Sequence, residues 1–344
     1  MAAWYIDLGP ESDVVISTRI RLARNIKQYP FPVRMKRDIG SKVIEQCKDA
    51  ILNSNSIISS QFEYIPMSSL SSIDKQALVE KHLISPLMLQ DVHSRGVFIN
   101  NDESISIMIN EEDHIRIQCI FSGLQTDKAW DLADKIDDII EERIEYAYNP
   151  EYGYLTTCPT NVGTGMRASV MMHLPALAIT GQLNSLINAV NKLGMAVRGL
   201  YGEGTEAAGN IFQISNQVTL GLSEEETLEN LLGIVRQIIS QERNSRKSLM
   251  EQRRIKLEDR LLRSFGVFVN ARVMTSDEFM KLLSDVRLGV ILGIIQNVKL
   301  EDLNTLMVEI QPANIMKLYG ENLSPDERDI RRTEIIKERL KMKG

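Results

Sequence analysis

The hydrophobic pattern changes period several times along the chain. Between residues 14 and 22, Val14, Ile16, Ile20 and Leu22 share one parity and Ser17, Arg19 and Arg21 the other. Side chains alternate across a strand, so this period of two predicts a strand with three polar groups on one face. Residues 39–52 and 73–83 have helical spacing and are separated by a Ser/Asn-rich connection. A β-meander is predicted at 97–100, 104–110 and 115–121, where Ile105, Ile107 and Ile109 alternate, as do Ile115, Ile117, Cys119 and Phe121. The last two strands flank Glu111-Glu112-Asp113-His114, a hairpin tip whose acids two apolar strands would hold rigidly.

A long helix is predicted over 126–148, with Trp130, Ala133, Ile136, Ile140 and Ile144 at roughly 3.6-residue spacing. After a loop over 152–166, a strand over 167–174 turns Arg167, Ser169, Met171 and His173 to one face. A helix over 183–193, a short strand over 195–198, a glycine-rich stretch over 199–209 with Glu203 and Glu206, and a strand over 211–220 follow. Ser223-x-x-Glu226 is a capping box opening a helix that can run toward Arg263. Beyond about Arg246 the pattern is helical, with starts at Thr275-x-x-Glu278 and Ser324-Pro325-x-Glu327. The fold class is therefore α+β: an antiparallel sheet flanked by helices over 14–245, then a small all-helical domain over 246–344.

Composition narrows the class. With 344 residues, 43% apolar and 25% charged, the chain has the balance of a globular protein and the length for about two domains. Its nearest candidate for a membrane span, 288–295, falls far short of the ~18 residues required. Residues 1–13 carry acids and no basic leader region, and Cys47, Cys119 and Cys158 suit neither a disulfide framework nor a four-cysteine zinc site. A cytoplasmic protein is the expectation. A net charge of −6 argues against a general nucleic-acid coat. The stretch 241–263 nevertheless holds eight bases against four acids. Acids interleaved at helical spacing make it a solvated helix joining the domains, with a nucleic-acid or acidic-protein patch as the alternative.

The common nucleotide motifs are missing. Gly204-x4-Gly209-Asn210 has a phosphate-loop spacing without the lysine, and there is no HRD or DFG. His82, His93, His114 and His173 are scattered and read as structural rather than as metal ligands. What recurs is arginine at strand positions (Arg19, Arg21, Arg116, Arg167 and Arg198) and acid on loops (Glu111, Glu112 and Glu203). A guanidinium fork takes phosphate oxygens bidentately, so converging arginines can cradle a triphosphate without a Walker loop. Carboxylates at the same place would take a cationic acceptor. Convergence itself is not visible in the sequence.

Five segments occur in order across residues 14–245: Ser17-Thr18-Arg19-Ile20-Arg21-Leu22-Ala23-Arg24-Asn25, Asn110-Glu111-Glu112-Asp113-His114, Cys158-Pro159-Thr160-Asn161, Arg167-Ala168-Ser169-Val170 and Arg198-Gly199-Leu200-Tyr201-Gly202-Glu203. Together they resemble the ATP:guanido phosphotransferase (phosphagen kinase) family, and most closely its bacterial protein-arginine branch. The resemblance implies that Ser17, Arg19, Arg21, Arg116, Arg167 and Arg198 bind the ATP phosphates and that His82 lies against the nucleotide. Thr18, Ile20, Ala168, Ser169, Val170, Met171, Gly199, Leu200, Tyr201, Gly202 and Glu203 belong to the same nucleotide-binding segments. It further implies that Glu112 and Glu203 grip the acceptor guanidinium, one of them as base, with Cys158 beside it. The plainer reading of Cys158 is a small buried residue.

Two departures separate the chain from the small-molecule branch. Creatine and arginine kinases carry a helical domain before the strand equivalent to 14–22, where this sequence has thirteen residues, and usually have histidine at the place of Met171. An open pocket of this kind suits an arginine on a protein. The protein-arginine branch also binds phosphoarginine in a helical domain through Arg-Asp-x-x-Arg-Ala; here Arg328-Asp329-Ile330-Arg331-Arg332-Thr333 ends in threonine. The resemblance places Arg328, Asp329, Arg331 and Arg332 in that site, whereas spacing alone also fits a helix with internal ion pairs. The expected function is transfer of the ATP γ-phosphoryl group to protein arginines, with Mg²⁺, marking proteins for Clp protease quality control under stress. A small-guanidine kinase and a non-enzymatic phosphoarginine-binding adaptor are the alternatives. Implied partners are arginine-containing proteins, a zinc-binding activator of the McsA type, a Clp ATPase, a stress repressor of the CtsR type and further copies of the chain, with no membrane and no direct nucleic acid.

Overall fold

Among the described residues of the computed structural model, which are 3–54, 56–199 and 208–341, eight strands pair into one antiparallel sheet. In chain order the first elements are β1 (Val15–Arg24), α1 (Arg37–Leu52), β2 (Phe62–Pro66), α2 (Ser72–Glu80), β3 (Gly96–Asn100), β4 (Ile105–Ile109), β5 (Ile115–Ser122) and α3 (Thr126–Glu141). A two-residue pair, β6 (Tyr148–Asn149) and β7 (Gly153–Tyr154), precedes β8 (Met166–His173), α4 (Pro175–Ile179), α5 (Leu183–Lys192), β9 (Met195–Gly199) and β10 (Ile211–Asn216). Helices α6 (Glu224–Asn270), α7 (Ser276–Ile291), α8 (Leu300–Glu309), α9 (Pro312–Tyr319) and α10 (Pro325–Arg339) complete the chain. The sheet order is β2-β3-β4-β5-β1-β8-β10-β9. The α+β expectation holds, and the three capping serines and threonines, Ser223, Thr275 and Ser324, each accept the backbone N–H three residues on.

The alternation of the strands sorts their side chains. Ile20, Leu22, Ile107, Ile117, Ala168, Val170 and Ile214 point to one face and pack with Val43 and Cys47 of α1, Ala133 and Ile136 of α3, and Leu231 and Val235 of α6. The opposite face is covered only in part. At one end, Val97, Ile99 and Met108 pack with Met67, Leu83 and Met88 around α2. At the other, Ile16, Ile120, Met171 and Ile211 meet Phe279 and Leu283 of α7 and Leu303 and Leu306 of α8. Between these apolar patches the sheet face is polar, and it is there that the arginines project.

Three element expectations need correction. Ile16 does not share a face with Val14, Ile20 and Leu22: a bulge between Val15 and Ser17 turns it to the C-terminal helices. The helix predicted over 126–148 ends at Glu141 because the chain then pairs with the end of β1, with a bridge from Ile26 to Tyr146 and the Ala147 N–H donating to Asn25 O at 2.7 Å. The strand predicted over 211–220 stops at Asn216, whose side chain donates from Nδ2 to Met166 O and Val218 O. The basic stretch lies in α6, which leaves helical dihedrals at Arg253 (φ −138°). Its exposed members form pairs such as Arg254–Glu258 and Arg263–Asp259, as expected of a solvated helix. Arg243 and Arg246 instead clamp Asp13, just before β1.

One buried ion pair fixes the loop that follows β7. Arg24 donates Nε and Nη2 to Asp137 Oδ2 at 2.9 and 2.7 Å, gives Nη1 to the carbonyls of Ala23 and Thr164, and stacks its guanidinium 3.5 Å from the Tyr154 ring centroid. The Tyr146 hydroxyl donates to Asp137 Oδ1 at 2.9 Å. Gly165 has φ +63°, and a Cβ there would lie 2.6 Å from Ala23 O and Arg24 Nη1, so this closure requires glycine. Replacing one member of a buried pair strands the other charge. Arg24→Met should therefore lower the unfolding free energy by about 3–5 kcal/mol in urea titrations; a loss within ~1 kcal/mol would mean that Asp137 is satisfied without it.

Candidate functional site

The register brings the strand arginines together. Arg21 lies opposite Arg167 on β8 and Gln118 on β5, Ala23 opposite Arg116, and Arg198 opposite Gln213. Because β5, β1, β8, β10 and β9 are successive neighbours in the sheet, Arg19, Arg21, Arg116, Arg167 and Arg198 share its polar face. Two cavities open on this face. One, about 410 Å³, is lined by Arg21, Arg116, Arg167 and Arg198 together with Glu112, Cys158, Thr160 and Asn161. The other, about 290 Å³, is lined by the same four arginines with Arg19, Val79, Glu80, His82, Ile84 and Gln213. The four shared arginines are the wall between a compartment with a carboxylate and a thiol and a compartment with an imidazole and aliphatic side chains.

Two guanidinium groups on this face, Arg19 and Arg21, are held against burial and like charge. Burial, and then Arg19, Arg116 and Arg167, hold the Arg21 guanidinium well below its ordinary value, with Glu111 acting in the opposite sense. Arg19 is pushed down to about 10 by burial and by Arg167 and Arg116. Its Nη2 donates to Gln213 Oε1 at 2.5 Å, while Arg21 Nε is buried with no hydrogen-bond partner among the described residues. Clustered, desolvated guanidinium groups destabilise one another unless an anion enters. Burial and Arg19 also lower the His82 imidazole to about 3, so it is neutral at physiological pH, and its ring packs 5.8 Å from that of Trp4.

At the other compartment the hairpin between β4 and β5 delivers the acids. Glu112 Oε2 accepts from Arg116 Nη2 at 2.7 Å and its side chain is one-third exposed, facing the cavity. Glu111 is fully buried beneath it. Its carboxylate pairs with Arg116 Nη1 at 2.8 Å and accepts from the Ser85 hydroxyl and from the Glu112 N–H at 2.9 Å. Asp113 ties hairpin to loop: its Oδ1 accepts from Asn25 Nδ2 at 2.7 Å and from the Thr157 N–H at 2.6 Å, one residue before Cys158. Cys158 Sγ lies 3.0 Å from Thr160 Oγ1 at the cavity wall, whereas Cys47 and Cys119 are buried in the core, which pushes their thiols up.

Not every motif residue reaches the cavities. Thr18, Ile20, Ala168 and Val170 point to the reverse face, as period two requires: the last three pack in the core, and Thr18 donates its hydroxyl to Gly123 O. Ser17, Ser169 and Met171 share the arginine side but are buried; Met171 packs with the C-terminal helices, and His173 beyond it meets Ser284 of α7. Gly199 lines the second cavity. Leu200, Tyr201, Gly202 and Glu203 lie outside the described residues. In α10, Arg332 is buried and donates to Ile310 O, Met274 O, Asp329 and Ser276 Oγ. Arg328 donates to Leu323 O, Arg331 stacks on Tyr319, and Thr333 donates its hydroxyl to Ile330 O at 2.9 Å, so threonine fits where the motif has alanine. The sequence marked Glu111 and Asp113 as hairpin-tip acids without giving either its own role, and it did not mark Arg95, whose Nε donates to Asn110 O.

A polyanion cradle that ends in a carboxylate and a thiol defines a phosphoryl-transfer site for a cationic acceptor. Residues 42–245 match the model of the ATP:guanido phosphotransferase C-terminal catalytic domain, and residues 254–344 that of the protein-arginine kinase McsB C-terminal domain. The chain belongs to the ATP:guanido phosphotransferase family. It is 56% identical over 333 residues to a protein-arginine kinase of Caldanaerobacter subterraneus, covering 97% of this chain and 98% of the relative, and 49% identical over 340 residues to that of Bacillus subtilis, covering 99% and 93%. Among solved structures it resembles a duplicated taurocyamine kinase from Schistosoma mansoni with bound transition-state analogue components (TM-score 0.62, 29% identity, 69% of this chain and 34% of that one). It also resembles a lombricine kinase (TM-score 0.60, 27% identity, 71% of each).

Removing one guanidinium from the wall should separate stability from binding. Arg21→Met should stabilise the free protein by about 1 kcal/mol, since it deletes a desolvated, unpaired charge, and should weaken inorganic tripolyphosphate binding about tenfold or more. Thermal denaturation with and without the anion reads both; a destabilised variant with unchanged anion binding would contradict the cradle.

Proposed function

We propose that the protein is an ATP-dependent protein-arginine kinase that transfers the γ-phosphoryl group to arginine side chains. The observation that carries this reading is the sharing of Arg21, Arg116, Arg167 and Arg198 by two cavities, one bearing His82 and the other Glu112 and Cys158. In this reading the nucleotide occupies the His82 side and the acceptor guanidinium the Glu112 side, with the transferred group between them.

The chemistry follows from the acceptor. A guanidinium, with a pKa above ~12, has no lone pair to attack phosphorus, so a base must take its proton as the N–P bond forms. Glu112 is assigned that role, held by Arg116 and by the buried Glu111 beneath it; Glu203, from the matching motif, is assigned the second grip. As the bond to the leaving ADP oxygen breaks, charge gathers on the equatorial oxygens of the phosphoryl group, where the shared arginines donate. Cys158, beside Thr160, is assigned to polarise the guanidinium. Mg²⁺, carried in on the nucleotide as part of the substrate, supplies charge neutralisation at the phosphate oxygens; among the described residues no cluster of three or more His, Cys, Asp or Glu is arranged for a resident ion.

Family membership supports the wider assignment of arginine-containing proteins as acceptors. We further infer phosphoarginine recognition around Arg328 and Asp329, and marking for a Clp ATPase with an activator of the McsA type and a CtsR-type repressor as partners. We also infer a cytoplasmic site of action; no helix among the described residues is long and apolar enough to cross a membrane.

Incubation with ATP, Mg²⁺ and casein should produce acid-labile phosphate on arginine, and free arginine or creatine should not compete; turnover of the free guanidines alone would assign the protein to the small-molecule branch. Glu112→Gln should lower kcat by about 10²-fold or more with ADP affinity retained, and wild-type turnover in that variant would remove Glu112 as the base. Cys158→Ser should fold normally and turn over more slowly; full activity would leave Cys158 a packing residue.

A further inference from the structure

The wall of the second cavity is tied to the C-terminal helices by one carboxylate. Glu80, the last residue of α2, accepts from the Ala313 N–H at 3.0 Å, from the Asn314 N–H at 3.0 Å and from Asn314 Nδ2 at 3.1 Å. These backbone donors belong to the first turn of α9, where they have no partner within the helix, and Gln311 at the N-cap position offers no side-chain bond of its own. A residue more than two hundred positions away therefore caps α9 and complements the positive end of its dipole. Asn314 continues the tie by donating to Val308 O of α8, and Lys317 pairs with Asp74 of α2 at 3.0 Å.

The same segment shapes the cavity. Val79, Glu80, His82 and Ile84 line it, and the chain reverses between them with His82 at φ +60°, a left-handed conformation costly for a residue with a Cβ. Such a conformation persists only where its surroundings over-determine it. Here the surroundings are the Trp4 indole, which donates to Lys81 O at 3.1 Å and packs on His82, and Glu80, anchored on α9.

We propose that Glu80 is a positioning residue for nucleotide binding: its grip on the first turn of α9 holds the His82 turn in place, so nucleotide occupancy and the docking of α9 are linked. The proposal rests on reading the second cavity as the nucleotide pocket. Linkage is reciprocal, so whatever α9 does for the nucleotide the nucleotide must do for α9.

Hydrogen exchange of the full chain with and without saturating ADP, read by mass spectrometry, tests both directions. In the wild type, ADP should slow exchange in peptides covering 76–84 and, although α9 does not line the cavity, also in those covering 312–319. Asn314→Ala, which leaves the cavity lining intact, should keep the first protection, lose most of the second, and raise the KM for ATP several-fold with kcat within about twofold. Glu80→Gln, which sets an amide NH₂ against the α9 donors, should raise the KM further. Protection at 76–84 with none at 312–319 would overturn the linkage and leave the nucleotide pocket standing. Protection at neither would overturn both. A KM raised by Glu80→Gln but untouched by Asn314→Ala would overturn the positioning role, because Glu80 would then act on the nucleotide directly.

Discussion

The mutual repulsion of guanidinium groups on one sheet face is the constraint that organises this protein. Antiparallel register sets Arg21 against Arg167 and places Arg19, Arg116 and Arg198 on the same side, where burial depresses Arg19 and Arg21. A flexible surface would relieve that repulsion by letting the side chains swing into water. The sheet prevents it: the reverse face is a continuous core from α1, α3 and α6, and apolar patches close the arginine face on both flanks. The positive field is thus kept for a ligand, and the strain of holding it is offset by packing elsewhere in the fold.

The acids answer that field without cancelling it. Glu111 and Glu112 both engage Arg116, and Arg21, Arg167 and Arg198 line the cavity beside them. The Glu112 hairpin is also held in place, and its backing is a chain of side-chain bonds. Asp113 holds Asn25 and Thr157, Asn25 Oδ1 accepts from the His114 N–H, and Arg24 anchors the far end of the Cys158 loop. Two consecutive residues, Arg24 at the end of β1 and Asn25 after it, therefore support both the Glu112 hairpin and the Cys158 loop. Neither lines a cavity; Arg24 acts through Asp137 and the Thr164 carbonyl, and Asn25 through Asp113 and the His114 N–H.

Much of this could be read from the sequence, and the rest could not for definable reasons. Period two announced β1, the meander and β8, because each strand has a buried face; the arginines stood out because they interrupt that pattern on the other face. Ordered motifs then supplied the convergence that spacing cannot express. What stayed hidden depends on contacts distant in sequence. Ile16 changes sides through a single bulge, which no local periodicity reports. The helix pattern of residues 126–148 is genuine up to Ile144, but pairing with Asn25 and Ile26 outcompetes its last turn. Arg332 matches a recognition motif and is consumed by the carbonyls of Met274, just before α7, and Ile310, just after α8, and Glu80 resembles any surface glutamate until α9 is placed beside it.

The two family matches, 42–245 and 254–344, suggest a catalytic unit with an appended module, but the interval between them lies wholly inside α6. The first half of that helix contributes Leu228, Leu231 and Val235 to the core behind the sheet, and its second half contributes Phe268 and Val269 to the cluster in front. One rod thus braces both faces, with Arg253 as its only departure from helical dihedrals. In the front cluster the sheet gives Ile16, Ile120, Met171 and Ile211, the positions at which the polar alternation of β1, β5, β8 and β10 stops. The extent of the arginine patch is therefore set by where the C-terminal helices begin. Cut at the boundary the sequence suggests, the chain would expose four sheet side chains to water and leave Asp13 without Arg246, so the helical region is part of the floor on which the site is built.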